Sequence, residues 1–163
     1  MKPGYEPGGK WEDPKARQDW VDDLKNGPDT GPDRVRRTTN SDEPDIQYQH
    51  DKAGPEEYRL HGEGADPVWA DGVRVDPDGV AEVDAKFVVN PGGRSAYEGG
   101  RPPFMYSDLD HELDRYAAVI RDPANPVTRF SIITNTQKAA DFLLQHAREI
   151  MGRDIDIEVR VEP

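Results

Sequence analysis

The feature that most constrains this chain is a valine-rich ribbon near its middle. Two runs, Val73–Val75 and Val80–Val89, flank the tetrapeptide Asp76-Pro77-Asp78-Gly79. Valine favours strands, whereas Asp, Pro and Gly favour tight turns. The pattern therefore predicts a β-hairpin over these residues.

The second strand of this hairpin carries three charges on one face. Side chains alternate between the two faces of a strand, so the sequence VAEVDAKF divides into two sets. One set is charged and comprises Glu82, Asp84 and Lys86. The other is apolar and comprises Ala81, Val83, Ala85 and Phe87. If Asp76 pairs with Gly79 across the turn, the ladder sets Asp71 opposite Asp84, with Cβ atoms roughly 4.5 to 5.5 Å apart.

Two facing carboxylates suggest a cation site. Like charges directly opposite each other destabilise a sheet, and a divalent metal offsets the repulsion. Asp71 and Asp84 would supply hard oxygen ligands suited to Mg²⁺ or Mn²⁺. Lys86 beside them would orient or help deprotonate an attacking water, or stabilise negative charge that builds up on a phosphorus centre. Glu82 is a secondary metal candidate, and a solvated strand face with an ordinary ion pair is the alternative interpretation.

These residues resemble a known signature. Asp71 followed by Asp84-Ala85-Lys86 is similar to the PD-(D/E)xK nuclease motif. Residues from about 48 to 163 resemble the restriction-endonuclease-fold toxin domains of bacterial polymorphic toxins. The similar stretches are Tyr48-Gln49, Glu57-Tyr58, Ala70–Arg74, Val83–Val88, DHELDRYAAVI, the Pro123–Pro126 turn, SIITN and ADFLLQHA.

The resemblance implies a function and a set of partners. It implies a metal-dependent endonuclease that hydrolyses phosphodiester bonds, with DNA favoured as the nucleic acid substrate. It also implies an antibacterial toxin, exported as part of a larger protein into the cytoplasm of a competing cell, and a cognate immunity protein that blocks the site. Gln49 matches a recurrent glutamine of the family, which would orient the water or Lys86. A structural hydrogen bond is the alternative for Gln49.

The rest of the chain predicts an arm followed by one domain. Residues 1–45 are rich in Pro, Gly and charge, which predicts a linker or arm with one short helix over Pro14–Lys25. Residues 46–163 form the expected domain, in which the order hairpin, helix, strand, helix, strand favours an α/β (α+β) fold with a mixed central sheet and flanking helices. The elements expected beside the hairpin are a strand at Glu57–Leu60, a flap at Asn90–Pro103, a helix from Ser107 to Ile120, a strand at Arg129–Thr134, a helix at Thr136–Met151 and an edge strand at Ile155–Val161.

Composition excludes some classes and weighs against another. The chain has no cysteine, which excludes thiolate chemistry, and its apolar runs are too short for a membrane span or signal peptide. Its net charge of −12 argues against nucleic acid binding, unless a local basic strip holds the phosphates. The candidates for such a strip are Arg74, Arg94, Arg101 and Arg115. A non-catalytic interaction module or inactive relative, an RNA-cleaving toxin, and a metal-independent ribonuclease that uses His61 or His111 stay open as alternatives.

Overall fold

A computed structural model describes residues 1–26, 35–37, 43–92 and 94–163 of the 163-residue chain. The helices are α1 (Pro14–Asn26), α2 (Pro44–Ala53), α3 (Ser107–Arg121) and α4 (Gln137–Met151). The strands are β1 (Val35–Arg37), β2 (Glu56–Leu60), β3 (Val68–Ala70), β4 (Gly72–Asp76), β5 (Gly79–Lys86), β6 (Val127–Thr134) and β7 (Asp156–Val161). In this part of the chain no helix is both long and apolar enough to cross a membrane.

The predicted hairpin forms the first two strands of the larger sheet. Strands β4 and β5 pair antiparallel, from Asp76 opposite Gly79 to Gly72 opposite Val83, as the turn chemistry predicts. Strand β6 adds parallel to β5, and β7 adds parallel to β6, which gives the order β4-β5-β6-β7. A smaller antiparallel sheet has the order β1-β2-β3. The expected mixed sheet with flanking helices is therefore confirmed.

Helices α3 and α4 close one face of the larger sheet, and their apolar stripes are those expected from the 3.6-residue period. Tyr116 of α3 packs against Phe130 of β6 with ring centroids 4.5 Å apart. Leu113 and Leu143 are 2% exposed, so both stripes face the core. The main core therefore lies between this helix pair and β5 and β6.

Helix α2 covers the opposite face, and the sequence pattern did not predict it. Pro44 lies in its first turn, a position that proline favours, and Gly54 ends it with φ of 109°. Tyr48 packs on Phe87 with ring centroids 4.9 Å apart. The expected domain boundary at residue 46 lies inside this helix.

The N-terminal segment packs onto the domain. The predicted helix over Pro14–Lys25 is confirmed as α1. Val21 of α1 is 4% exposed and belongs to the main core. Trp11 is 3% exposed, and its indole N–H donates to the carbonyl oxygen of Pro123 at 3.0 Å. Residues 1–26 therefore share the core of the sheet domain.

The predicted flap at residues 90–103 is held at several points. Glu98 is buried and accepts hydrogen bonds from the backbone N–H of Gly92 at 3.1 Å and from the Thr136 hydroxyl at 2.9 Å. The Tyr106 hydroxyl donates to the carbonyl oxygen of Ala96 at 2.7 Å. These contacts hold the short 3₁₀ turn at Ala96–Glu98 against α4.

Candidate active site

The two predicted carboxylates meet at the hairpin. Asp71 lies at the bend between β3 and β4, one step beyond the Gly72–Val83 pair, and this position faces Asp84. Asp71 and Asp84 line the same cavity, and each alters the pKa of the other. The Oδ2 atom of Asp71 also accepts the backbone N–H of Ala85 at 2.7 Å. The convergence predicted from the register is therefore confirmed.

The third predicted residue, Lys86, contacts this pair. Its Nζ atom lies 3.0 Å from Oδ2 of Asp84, and it donates to Oε1 of Glu112 at 2.6 Å. The Asp84 contact is an ion pair without hydrogen-bond geometry. Burial alone would lower the pKa of Lys86, but the charges of Asp84 and Glu112 hold it well above its usual range. Lys86 is thus an ammonium clamped between two acids.

Burial makes the acids of this cluster weak. It raises the pKa of Asp84 to about 7, an effect that the Asp71 charge increases and the Lys86 charge opposes. It raises the pKa of Asp71 to about 6, against hydrogen bonds from Asp84 and Ala85. It raises the pKa of Glu112 to about 7, with the Asp84 charge as the second cause. Without a bound metal ion, carboxyl groups of this cluster therefore retain protons near neutral pH.

These side chains line a cavity of about 440 Å³ at the carboxyl end of β5. Its walls come from α2, β2, β3, β5, α3 and the loop that contains Tyr97. Two basic side chains, Lys86 and Arg115, line it against five acids. The five acids are Asp45, Glu57, Asp71, Asp84 and Glu112. A phosphodiester is an anion, so it would enter this cavity only with a cation to offset the acids.

The donor chemistry suits such a cation in part. Oδ2 of Asp84 is buried, forms an ion pair with Lys86 and accepts no hydrogen bond from the described residues, so it can serve as a ligand atom beside Asp71. Carboxylate oxygens are the ligands that Mg²⁺ and Mn²⁺ prefer. Within the described ranges, no three His, Cys, Asp or Glu side chains are arranged to hold a metal together. What the residues offer is therefore a two-carboxylate site, with its other ligand positions left to water or substrate.

Gln49 lies beside the cavity, as its predicted role in orienting a water or Lys86 requires. Helix α2 carries it to the wall of the cavity. Its Nε2 atom is buried and has no hydrogen-bond partner among the described residues. An unsatisfied buried amide is unfavourable by about 1 to 3 kcal/mol, so this amide is a free donor toward whatever occupies the cavity.

Glu82 does not reach the site, which corrects its secondary assignment as a metal ligand. It shares the strand face of Asp84 but lies two residues nearer the turn, about 6.6 Å along the strand. It is fully buried, lies outside the cavity wall, and neither of its carboxylate oxygens has a hydrogen-bond partner among the described residues. Burial raises its pKa well above the usual value, and the nearby ammonium of Lys2 opposes this.

Two residues at the site were not found from the sequence. Glu112 lies on α3, three residues after Leu109 and four before Tyr116, on the edge of the buried stripe. An acid at helical spacing with buried apolar residues was the available signal. Tyr97 is carried by the loop, and its ring centroid lies 5.5 Å from Nζ of Lys86. Its glycine-rich surroundings gave no such signal.

The predicted basic strip is only partly assembled. Arg115 lines the cavity, and Arg94 and Arg101 line a neighbouring groove. Arg74 does not belong to it, because its guanidinium contacts Asp76 at 2.6 Å and Glu158 at 3.3 Å. The alternative catalytic histidines, His61 and His111, are absent from the described residues that line the cavity.

The fold and this cavity define a protein of the restriction-endonuclease class. The sequence model of the family described as restriction endonuclease fold toxin 2 matches residues 44–151. The chain belongs to this family, and the match covers α2 through α4, the elements that build the cavity. Membership indicates a nuclease toxin. Searches of curated proteins and of solved structures give no significant match.

Proposed function

We propose that this chain is a divalent-cation-dependent endonuclease that hydrolyses phosphodiester bonds, with DNA as the favoured substrate, and that it acts as an antibacterial toxin domain. The observation that carries the proposal is the convergence of Asp71, Asp84 and Lys86 on one cavity. In an acidic chain of this kind, five acids around one cavity suit a cation far better than an unassisted anion.

Each residue has a separate task in this proposal. Asp71 and Asp84 would hold Mg²⁺ or Mn²⁺, and the bound ion would supply Lewis-acid chemistry at the phosphoryl group. Lys86 places its positive charge beside Asp84, where it stabilises negative charge that develops on the phosphoryl oxygens. Gln49 orients the attacking water through its free amide.

Glu112 acts as a positioning residue for the lysine. Its carboxylate holds Nζ of Lys86 at 2.6 Å from the side of α3, opposite the strand that carries Asp84. A long flexible amine held from two sides loses its rotamer freedom before substrate arrives. We therefore place Glu112 in support of Lys86 rather than in contact with the reacting phosphate.

A plasmid-nicking assay tests the function. Purified protein should nick supercoiled DNA with Mg²⁺ or Mn²⁺ and lose activity in EDTA. Asp84→Asn and Lys86→Met should each lower the rate by about a hundredfold or more. Arg153→Gln, an exposed change far from the cavity, should keep the wild-type rate.

The same assay distinguishes the alternatives. Cleavage of RNA in place of plasmid would identify an RNA-cleaving toxin with the same residues. Activity that survives EDTA and the Asp84 change would support a metal-independent ribonuclease. Absence of cleavage on either substrate, with the fold intact, would leave the non-catalytic interaction module.

The biological setting belongs to the same proposal. We infer that the domain is exported within a larger toxin, acts in the cytoplasm of a target cell, and is neutralised by a cognate immunity protein that covers the cavity. Expression of this domain in bacteria should arrest growth, and Lys86→Met should relieve the arrest. Normal growth on expression of the active wild-type domain would contradict the antibacterial role.

A further inference from the structure

A second groove opens beside the cavity. It has a volume of about 370 Å³ and shares three wall residues with the cavity: Phe87, Val89 and Tyr97. The two spaces are therefore neighbours along the loop that follows β5. A polymer whose reacting group lies in the cavity would extend through this groove.

The charge of the groove is opposite to that of its surroundings. Arg94 and Arg101 are exposed on its wall, and no acid is among the described residues that line it. Neither arginine has an ion-pair partner in the described part of the chain. Arg74, Arg121 and Arg129 are held by carboxylates, whereas Arg148 and Arg153, which also lack an ion pair in the described part of the chain, share their groove with Asp141 and Glu149. Two unpaired arginines in a groove whose described residues include no acid therefore mark a local anion site in a chain of net charge −12.

The apolar residues of the groove point to bases as well as phosphates. Val89 is 59% exposed, and Phe87 and Tyr97 are half-buried residues on the same wall. Aromatic side chains in nucleic acid grooves bind unpaired bases by stacking, whereas bases inside a duplex have no free face to offer. Arginines beside such rings then bind the backbone phosphates.

We propose that this groove binds an unpaired stretch of nucleic acid strand next to the phosphate that is cleaved, with Arg94 and Arg101 on its phosphates. The inference rests on the proposed nuclease function and extends it to the form of the substrate. Asp71 and Asp84 are 7% and 3% exposed and line the cavity wall, so the reacting phosphate reaches them from inside the cavity.

Binding without cleavage tests this proposal. Fluorescence anisotropy in EDTA would follow the full chain with labelled oligothymidylate, oligouridylate and a blunt-ended DNA duplex of equal length. The unpaired strands should bind more tightly than the duplex, and comparison of the two strands distinguishes DNA from RNA. In the double variant Arg94→Gln/Arg101→Gln, affinity for the strands should fall roughly tenfold, and the slope of log affinity against log salt should fall by about 1.4.

A charge-matched control separates the groove from general electrostatics. Arg148→Gln/Arg153→Gln removes the same charge from a different surface, next to Asp141 and Glu149, and should change affinity less than twofold. Equal weakening by both double variants, or duplex binding as tight as strand binding, would overturn the proposal. A different outcome is strand binding that depends on Arg94 and Arg101 without any metal-dependent cleavage. That result would contradict the proposed nuclease function but support the assignment of the groove.

Discussion

At the scale of single residues, the site consists of charges that are buried together. Asp84 and Lys86 are 3% and 8% exposed and form an ion pair with each other, and Glu112 forms a second ion pair with Lys86. Removing one partner of a buried ion pair leaves an unmatched charge in a poorly solvated place. The site residues should therefore differ sharply in how their replacement affects stability and activity.

Glu112→Gln separates positioning of the lysine from the chemistry itself. The amide keeps the shape but loses the charge that holds Nζ of Lys86, so we expect the nicking rate to fall roughly ten- to a hundredfold with the fold retained. The rate of this variant should stay above that of Lys86→Met. Glu149→Gln, an exposed change on α4, is the control and should keep full activity. A Glu112→Gln rate equal to wild type would contradict the positioning role.

Glu82 makes stability depend on pH in a predictable direction. Burial raises its folded pKa well above 4.5, so the folded state keeps a proton that the unfolded state has released. Stability is therefore fully present below pH 4.5 and falls as the pH rises toward the folded pKa. The raised pKa values of Asp71, Asp84 and Glu112 act in the same direction between about pH 4 and pH 7.

Urea unfolding in EDTA from pH 5 to 7.5 measures this effect. Glu82→Gln should flatten the fall in unfolding free energy and stabilise the protein by about 1 to 3 kcal/mol at pH 7. Glu149→Gln should leave the wild-type slope unchanged. A wild-type stability that rises over this range, or a Glu82 variant with the same slope, would show that the burial of Glu82 is offset in the folded protein.

Residues that are close in sequence could be predicted, whereas those brought in from elsewhere could not. Strand alternation and a tight turn fix Asp71, Asp84 and Lys86 relative to one another, because both rules act over a few residues. Glu112 and Tyr97 reach Lys86 only after α3 and the loop have packed on the sheet. No local rule carries that information.

At the scale of elements, the hairpin, β2, β6, β7 and the long amphipathic helices followed their patterns, but the short strands β1 and β3, helix α2 and one helix cap did not. Helix α2 is short and has only Tyr48 fully buried, so its apolar period is weak. Ser107 and Asp110 have the three-residue spacing of a capping box, yet α3 begins without a side-chain cap. Asp110 instead pairs with His146 at 2.5 Å. Tertiary contacts with α4 therefore decide how Asp110 is used.

The absence of a side chain at Gly72 lets the end of α2 pack closely against β4. A methyl group at this position would lie 2.7 Å from the backbone carbonyl oxygen of Ala53, at the end of α2. Gly72→Ala should therefore push α2 away from β4. This shift would separate Gln49, which lies on α2, from Asp71, which directly precedes β4. We expect a loss of about 1 to 3 kcal/mol in unfolding free energy, together with reduced nicking.

A matched glycine provides the control for this change. At Gly92 no atom of the described residues lies within 4 Å of an added methyl group, although its φ of 81° adds some strain. Gly92→Ala should therefore affect stability through the backbone alone and leave the cavity intact. If Gly72→Ala keeps both stability and nicking, α2 can shift to admit the methyl group. The close contact between Gly72 and Ala53 would then not fix the position of α2.

At the scale of the whole molecule, the acidity is organised rather than spread evenly. Arg129 joins Asp76, Asp78 and Asp156 in an ion-pair network at the hairpin turn, away from the cavity. Among the described residues, the five acids around the cavity face two basic side chains, whereas the charged residues that line the adjoining groove are both arginines. The net charge of −12 is an average over the whole chain, whereas binding of a nucleic acid depends on the local electrostatic field at the binding surface. The net charge therefore does not exclude nucleic acid binding at the groove.

The N-terminal segment gives the last prediction, because its composition and its packing point in opposite directions. Its Pro, Gly and charged residues predicted a linker or arm, yet Trp11 is buried and Lys2 donates to the carbonyl oxygen of Val127 at 2.7 Å. A few well-placed contacts can dock a segment whose average composition favours disorder. Trp11→Ala should lower the unfolding free energy by about 3 to 5 kcal/mol, as for other buried aromatic residues. Phe104→Ala, which truncates a ring that is 79% exposed, should change it by less than about 0.5 kcal/mol.

Deletion of residues 1–12 tests the segment as a whole, with urea unfolding as the measurement. The shortened chain should unfold at clearly lower urea than the full chain, because it loses Trp11 and also the hydrogen bonds that Lys2 and Tyr5 donate to the carbonyl oxygens of Val127 and Pro126. The loss should therefore exceed that of Trp11→Ala. Equal midpoints for the full and shortened chains would mean that the segment is a linker after all, and that the sheet domain is complete without it.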